Sequence, residues 1–219
     1  MYTIDLEKIT LDEFQEILTS IDLLPGRRIL LENLPGIVAG LKQKGVFHLE
    51  SLRKLLANKK QYPQLAVSLT VSVEYLTILN REVNSYLSKP VALPDLDVFT
   101  SNELEKLARP NIKTTKDLYE QALTPVLRQE ITNQLSIPPE KIVHALQLSD
   151  LLRINGVGPS YAAILWQIGI HTAADYLHLS SAEILTRYRQ SGLASAKLGL
   201  KDVEYCKRFC QKLASDIEW

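Results

Sequence analysis

The sequence predicts an all-α protein made of tandem helical units, three copies of about 60 residues each, after an N-terminal helix. Three observations lead to this prediction. Apolar residues recur at helical spacing along most of the 219 residues. No alternating strand pattern of useful length is present. One proline-to-glycine pattern also returns along the chain, which is the signature of an internal repeat.

The recurring pattern is a short apolar helix that ends at a residue suited to a left-handed backbone. Ten residues separate Pro35 from Gly45, and ten separate Pro159 from Gly169. A middle copy ends at Asn111, and asparagine is the other residue that tolerates a positive φ. Gly45, Asn111 and Gly169 are therefore predicted to be structural turns that end three equivalent helices.

A β-branched residue follows each of these ends, and a helix start follows shortly after. The residues are Val46, Ile112 and Ile170, followed by the capping pairs Thr114 with Asp117 and Thr172 with Asp175. In the first copy His48 and Ser51 occupy the capping positions, which predicts a weaker cap there. The expected unit is a short helix, a tight turn, a second helix, a loop and a further helix.

The predicted organisation has an N-terminal helical extension and three units. The extension is 1–25, where Thr10 and Glu13 have the spacing of a capping box, and the units are 26–90, 91–150 and 151–219. The second unit is degenerate in its turn, and the third carries a Gly-Val-Gly-Pro hairpin. The ranges 26–90, 91–150 and 151–219 are called the first, second and third segments below.

Composition limits the classes of partner. Lys plus Arg and Asp plus Glu both number 25, so the formal net charge is zero. No global field draws this chain onto phosphate or anionic lipid, and nucleic-acid binding has to rest on local basic patches.

The termini and the cysteines point to a cytoplasmic protein. The stretch 1–11 lacks a basic region followed by an apolar run, and no apolar stretch approaches the ~20 residues of a membrane span. Cys206 and Cys210 lie four residues apart, and no cluster of other ligands accompanies them. We interpret them as structural thiols in a reducing compartment, without a metal.

The third segment contains a loop that the others lack, Asn155-Gly156-Val157-Gly158-Pro159-Ser160-Tyr161-Ala162. From Leu151 to Leu177 the chain resembles the helix-hairpin-helix motif, which implies that the three copies are tandem helix-hairpin-helix-like units. Together with Gly169 to Thr172 and Asp175, the loop resembles the bacterial family known as domain of unknown function 4332, which pairs such units. DNA-binding members of the motif commonly carry Lys or Arg after the turn, whereas this chain has Ser160 and Tyr161 there.

The hairpin is a candidate phosphate site, because two glycines let backbone N–H groups face outward at a helix N-terminus. The candidate nucleic-acid contacts are Arg153, Gly156, Val157, Gly158, Ser160 and Tyr161 at the hairpin, and Lys42, Lys44, Arg53 and Lys54 in the first segment. Gly158 is expected to have a positive φ. The alternative interpretation is that the glycines only allow two helices to cross closely.

No enzyme is expected. The four histidines, His48, His144, His171 and His178, form no metal or nucleophile-base set among sequence neighbours, and the hairpin lacks the Lys-Ser or Lys-Thr of a P-loop. The sequence indicates no catalytic residue, no cofactor, no small-molecule substrate and no membrane partner, and it leaves the oligomeric state open. Extended helical surfaces favour a protein partner over nucleic acid, with sequence-independent DNA binding as the alternative. Tyr161 and Trp219 are candidate exposed contacts, and Trp166 is predicted to lie in the core.

Overall fold

Regular structure is entirely helical in the computed structural model, which describes residues 1–193 and 198–219. This described part has two isolated bridges, Thr10 with His48 and Ala92 with Thr114, and no strand. None of its helices combines the length and apolarity that a membrane crossing requires.

Thirteen α-helices lie in the described ranges. They are α1 (Leu11–Ser20), α2 (Leu34–Gln43), α3 (Leu49–Ala57), α4 (Tyr62–Leu69), α5 (Val73–Ser85), α6 (Ser101–Ala108), α7 (Thr115–Gln121), α8 (Pro125–Leu135), α9 (Pro139–Leu151), α10 (Pro159–Gln167), α11 (Ala173–His178), α12 (Ser181–Gln190) and α13 (Leu200–Cys210). Short 3-10 turns at Pro25–Leu31 and Leu93–Leu96 precede α2 and α6.

The chain divides into two compact bodies. The N-terminal body is Asp5–Leu87, and the C-terminal body joins Met1–Ile4 to Ser88–Trp219. Residues 26–87 of the first segment thus share a body with α1, while the second and third segments share the other. Tyr2 shows why the first residues belong to the C-terminal body, because its ring packs edge-on against Tyr119 at 5.5 Å. Its hydroxyl also lies 2.7 Å from the Thr115 hydroxyl.

Helices α2, α6 and α10 end in the same hydrogen-bonded turn. Gly45, Asn111 and Gly169 have φ values of 79°, 65° and 79°. The next residue in each case donates its N–H to the carbonyl of a buried leucine five residues earlier, which is the Schellman arrangement. The pairs are Val46 to Leu41 at 3.1 Å, Ile112 to Leu107 at 3.0 Å and Ile170 to Leu165 at 2.9 Å.

The helices that follow these turns begin with complete capping boxes. Thr114 with Asp117 and Thr172 with Asp175 bond in both directions, as the spacing predicts. The first segment forms the same box, because the His48 Nδ1 accepts from the Ser51 N–H at 3.2 Å and the Ser51 Oγ accepts from the His48 N–H. The imidazole therefore replaces the hydroxyl at this N-cap.

A second set of left-handed residues follows α4, α8 and α12. Thr70, Ser136 and Gly192 have φ values of 55°, 49° and 69°. Asn111 follows Gly45 by 66 residues, and Ser136 follows Thr70 by the same interval. The spacing between the two left-handed helix ends is therefore the same in the first and second segments. Thr70 is a costly residue for this backbone, since a β-branched side chain disfavours positive φ.

Candidate functional site

The two hairpin glycines have different backbones. Gly156 is left-handed at φ 92°, whereas Gly158 is the extended N-cap of α10 at φ −96° and ψ 174°. The expectation of a positive φ at Gly158 is therefore wrong, and the left-handed position lies two residues earlier. A Cβ added at Gly156 would lie 2.7 Å from the Cys206 Sγ, while one at Gly158 would meet nothing within 4 Å. Gly156 thus permits the close approach of α13.

The start of α10 presents free backbone donors. The N–H groups of Ser160 and Tyr161 find no acceptor among the residues described, while the Val157 N–H donates to the Ile154 carbonyl at 3.0 Å. The Val157 side chain is buried. Tyr161 turns inward as well, because its ring packs edge-on against Tyr188 at 5.6 Å and burial raises the pKa of its hydroxyl. Any phosphate contact at the hairpin therefore depends on backbone groups and Ser160.

Carboxylates lie beside this helix start. A cavity of about 190 Å³ is walled by Pro159 and Ser160 on one side and by Asp95 and Asp97 on another. Both aspartates are exposed. The negative charges of these side chains oppose the approach of a phosphate oxygen to this cavity.

Arg153 is corrected from a candidate phosphate contact to a buried structural residue. Only 2% of its surface is exposed, and its Nη1 donates to the Asp150 carboxylate at 2.6 Å. The remaining donors bond to the carbonyl oxygens of Tyr2 at 3.0 Å, Met1 at 3.2 Å and Ala214 at 2.7 Å. A guanidinium engaged in this way has no face left for an external phosphate.

The carboxylate of Asp150 also holds the start of α11. Its second oxygen accepts the N–H of Ala173 at 2.8 Å. In the first and second segments the equivalent N–H groups, those of Leu49 and Thr115, donate instead to the carbonyls of Ile9 and Val91 at 2.9 and 2.8 Å. A side chain thus replaces a backbone acceptor in the third segment.

The predicted basic contacts of the first segment lie in the N-terminal body, and three of the four are ion-paired. Lys42 contacts Asp12 at 2.6 Å, and the Arg53 guanidinium contacts both oxygens of Glu50 at 2.8 and 2.7 Å. Lys54 lies 3.6 Å from the same Glu50. Hydrogen bonding from Arg53 lowers the pKa of Glu50. Lys44 is exposed. These carboxylates reduce the positive charge available to phosphate.

The N-terminal body has an open apolar groove of about 790 Å³, which we call the α4 groove. Its walls include Ile29, Glu32, Ile37, Val67, Val73 and Tyr75. Val67 is 82% exposed and Val73 is 46% exposed, which is unusual for aliphatic side chains on one face. Tyr75 forms a buried wall, donates to the Leu30 carbonyl at 3.3 Å and has its pKa raised to about 12 by burial.

The α4 groove was not predicted from the sequence. Its walls come from the turn before α2, from α2 itself and from both sides of the α4 end, which are separated along the chain. One local signal was present, because Val67 adjoins Leu65 and Ala66 and so widens the apolar face of α4 beyond the stripe that one packed face needs.

The position of Ile37 in the α4 groove is filled differently in the other segments. Ile37, Glu103 and Tyr161 each lie eight residues before their left-handed turn. Glu103 accepts two hydrogen bonds from Lys141 at 2.9 and 2.7 Å, which closes this surface with an ion pair. Tyr161 closes it with the Tyr188 ring. The first segment leaves the equivalent surface apolar and open.

The remaining aromatic and thiol expectations have mixed outcomes. Trp166 is half-buried at the edge of the core, where its Nε1 donates to Gln147 at 2.8 Å and its ring stacks on His144 at 3.9 Å. Trp219 is 49% exposed. Cys206 and Cys210 are free and buried, and burial raises their thiol pKa to about 11 and about 12. Such thiols are poorly reactive, as structural cysteines are.

The comparisons with known proteins match one part of the chain. Residues 98–201 match the family model described as Domain of unknown function (DUF4332). This stretch contains the turns at Asn111 and Gly169 and the Gly156–Ser160 hairpin, so it agrees with the family resemblance of the third segment. No curated protein and no solved structure matches the chain.

Proposed function

We propose that the chain is a non-catalytic protein of three tandem helix-hairpin-helix-like copies that binds a protein partner through the first copy. The repeat is supported by order and geometry. Helices α2–α5, α6–α9 and α10–α13 follow one another as three sets of four, each with left-handed residues after its first and third helices. The Schellman bond and the capping box recur in all three sets.

The α4 groove is the observation that carries the binding function. Exposed aliphatic side chains around a concave surface are typical of protein-protein contacts, because covering them removes apolar area from water. Val67 and Val73 are such side chains, and Glu32 is the one charged residue in the described walls. A partner that covers the groove gains most of its affinity from apolar burial, and Glu32 selects for a basic neighbour.

The proposed protein is non-catalytic because its buried carboxylate and thiol groups are engaged in structural contacts. Asp150 is paired with Arg153 and caps α11, and Cys206 packs under Gly156. These groups hold helices together, and the cavity that adjoins Asp150 and Arg153 measures only about 90 Å³. Drug-sized ligand pockets are several times larger, at roughly 300 to 1,000 Å³.

Sequence-independent DNA binding is the second candidate function. The unpaired N–H groups of Ser160 and Tyr161 favour it, and the neighbouring Asp95 and Asp97 oppose it. Fluorescence anisotropy of a labelled generic DNA duplex, measured at low and at moderate salt, distinguishes DNA binding from protein binding. Tight binding with a steep salt dependence would overturn the preference for a protein partner.

Capture experiments test the protein-binding proposal directly. A nuclease-treated lysate is passed over the wild-type chain, over Val67→Glu and over the matched control Val126→Glu. The control alters a valine of the C-terminal body that is 67% exposed, against 82% for Val67. We expect a protein that the wild type and the control retain in stoichiometric amount and that Val67→Glu loses. Equal retention by all three proteins would reject the α4 groove as the binding surface.

A further inference from the structure

We infer that the occupant of the α4 groove is a second copy of this chain, bound across a two-fold axis with the two α4 helices antiparallel. This inference rests on the proposed function and specifies its partner. A two-fold interface requires one surface to complement itself. The groove meets that requirement, because a projecting side chain and a concave wall occur on the same face: Val67 is 82% exposed at the edge of the groove that it lines.

Charges along α4 favour the antiparallel arrangement. Exposed Lys59 and Lys60 precede the helix, while exposed Glu32 and Glu74 lie by its C-terminal end. With the two α4 helices antiparallel, the end of one copy that carries Lys59 and Lys60 lies against the end of the other that carries Glu32 and Glu74. The symmetry produces this contact twice. A zero net charge adds no overall repulsion between two copies.

The other segments explain why the assembly stops at two chains. Their equivalent surfaces are closed within the chain, by Lys141 on Glu103 in one and by Tyr188 on Tyr161 in the other. Among the three equivalent positions in the described residues, one open surface gives a closed pair, whereas two or more would allow filaments.

Sedimentation equilibrium of the full chain tests the inference. We expect a dimer for the wild type and for Val126→Glu, and a dimer dissociation constant raised at least about tenfold in Val67→Glu, because two carboxylates would be buried at the axis. Circular dichroism and thermal unfolding check that each variant is folded. A wild type that is monomeric at about 100 μM, well above the usual range for a specific dimer, would overturn the inference.

A mixing experiment tests the antiparallel register. Lys60→Glu and Glu74→Lys should each weaken the dimer, because each places like charges opposite one another twice. An equimolar mixture of the two variants restores both opposite-charge contacts in the heterodimer, so the mixture should dimerise at least about tenfold more tightly than either variant alone. No gain on mixing would reject the antiparallel arrangement.

The outcomes distinguish this inference from the broader proposal. A monomeric wild type that still retains a foreign protein in a Val67-dependent way rejects the second copy as occupant and leaves protein binding through the groove in place. A monomeric wild type without such retention rejects both.

Discussion

The first and third segments share their turns and differ in their surfaces. Gly45 and Gly169 have the same φ of 79° and close α2 and α10 with the same bond. Eight residues before these turns, however, Ile37 lines an open groove whereas Tyr161 is packed under Tyr188. The comparison teaches that the turn residues maintain the helix arrangement, while the surface positions between them are free to take different roles.

The two segments differ most in the group that accepts the first N–H of the helix after the turn, which is α3 in the first segment and α11 in the third. In the first segment it is the Ile9 carbonyl, and in the third it is Asp150, which needs Arg153 as its partner. We expect Arg153→Ala to lower the free energy of unfolding by about 3–5 kcal/mol, because it leaves a buried carboxylate without its cation. Urea denaturation measures the loss.

Arg109→Ala is the control for this change, since Arg109 is exposed on α6's C-terminal end in the same body. A loss of similar size in both variants would contradict a special role for the buried pair.

Alanine substitutions at three glycines separate backbone strain from close packing. Gly156→Ala places a Cβ on a backbone with positive φ and in close contact with Cys206, so we expect the free energy of unfolding to fall by about 2–4 kcal/mol. Gly45→Ala has only the strain of the positive φ, so the free energy of unfolding should fall by about 1 kcal/mol. Gly158→Ala has neither effect and should stay within about 0.5 kcal/mol of the wild type.

Chemical denaturation of the three variants gives their order. If Gly158→Ala proved the most destabilising of the three, the assignment of the left-handed backbone to Gly156 would be wrong.

The end of α4 offers a stabilising change that makes the first segment resemble the third. Thr70 has a φ of 55°, and the residue at the matching place after α12 is Gly192. Thr70→Gly removes the strain of a β-branched residue in this region and should raise the free energy of unfolding by about 1 kcal/mol. Thr77→Gly, in the interior of α5, should lower it by a similar amount instead. A destabilised Thr70→Gly protein would show that the threonine side chain contributes more than its backbone costs.

The smallest effect concerns the ion pair that closes the second segment. Hydrogen bonding from Lys141, followed by the backbone N–H of Thr100, lowers the pKa of Glu103 from 4.5 to about 2. A carboxyl whose pKa is lower in the folded state stabilises the fold above its unfolded pKa. That stability is lost as the pH falls from about 4.5 towards 2.

Glu103→Gln should remove this part of the pH dependence, and its effect at neutral pH should not exceed about 1 kcal/mol for a surface pair. Stability measured against pH for both proteins checks the sign. An unchanged profile would show that Glu103 titrates normally.

The sequence predicted the helical class and the turns that depend on side-chain identity. Gly45, Asn111 and Gly169 were recognisable because glycine and asparagine are the residues that helix ends of this kind prefer. Thr70 and Ser136 adopt the same backbone without that preference, so tertiary packing decides their conformation and no local pattern announces it.

The candidate phosphate site could not be judged from sequence neighbours alone. Arg153 is adjacent to the hairpin in sequence, yet its side chain points into the core, towards carbonyls of Tyr2 and Ala214 that lie far away along the chain. Asp95 and Asp97 are also distant in sequence, yet they lie beside Ser160. Contacts between residues this far apart in sequence depend on how the helices pack, and the spacing of apolar residues along the chain does not predict that packing.

Arg153 also joins parts of the C-terminal body that are far apart in the sequence. It binds carbonyls of Met1 and Tyr2, which precede the stretch Asp5–Leu87, and the carbonyl of Ala214. The Met1 amino group adds an ion pair with Asp216. Contacts between residues so distant in sequence raise the contact order of a fold, which is associated with slow folding, so we expect these bonds to form late.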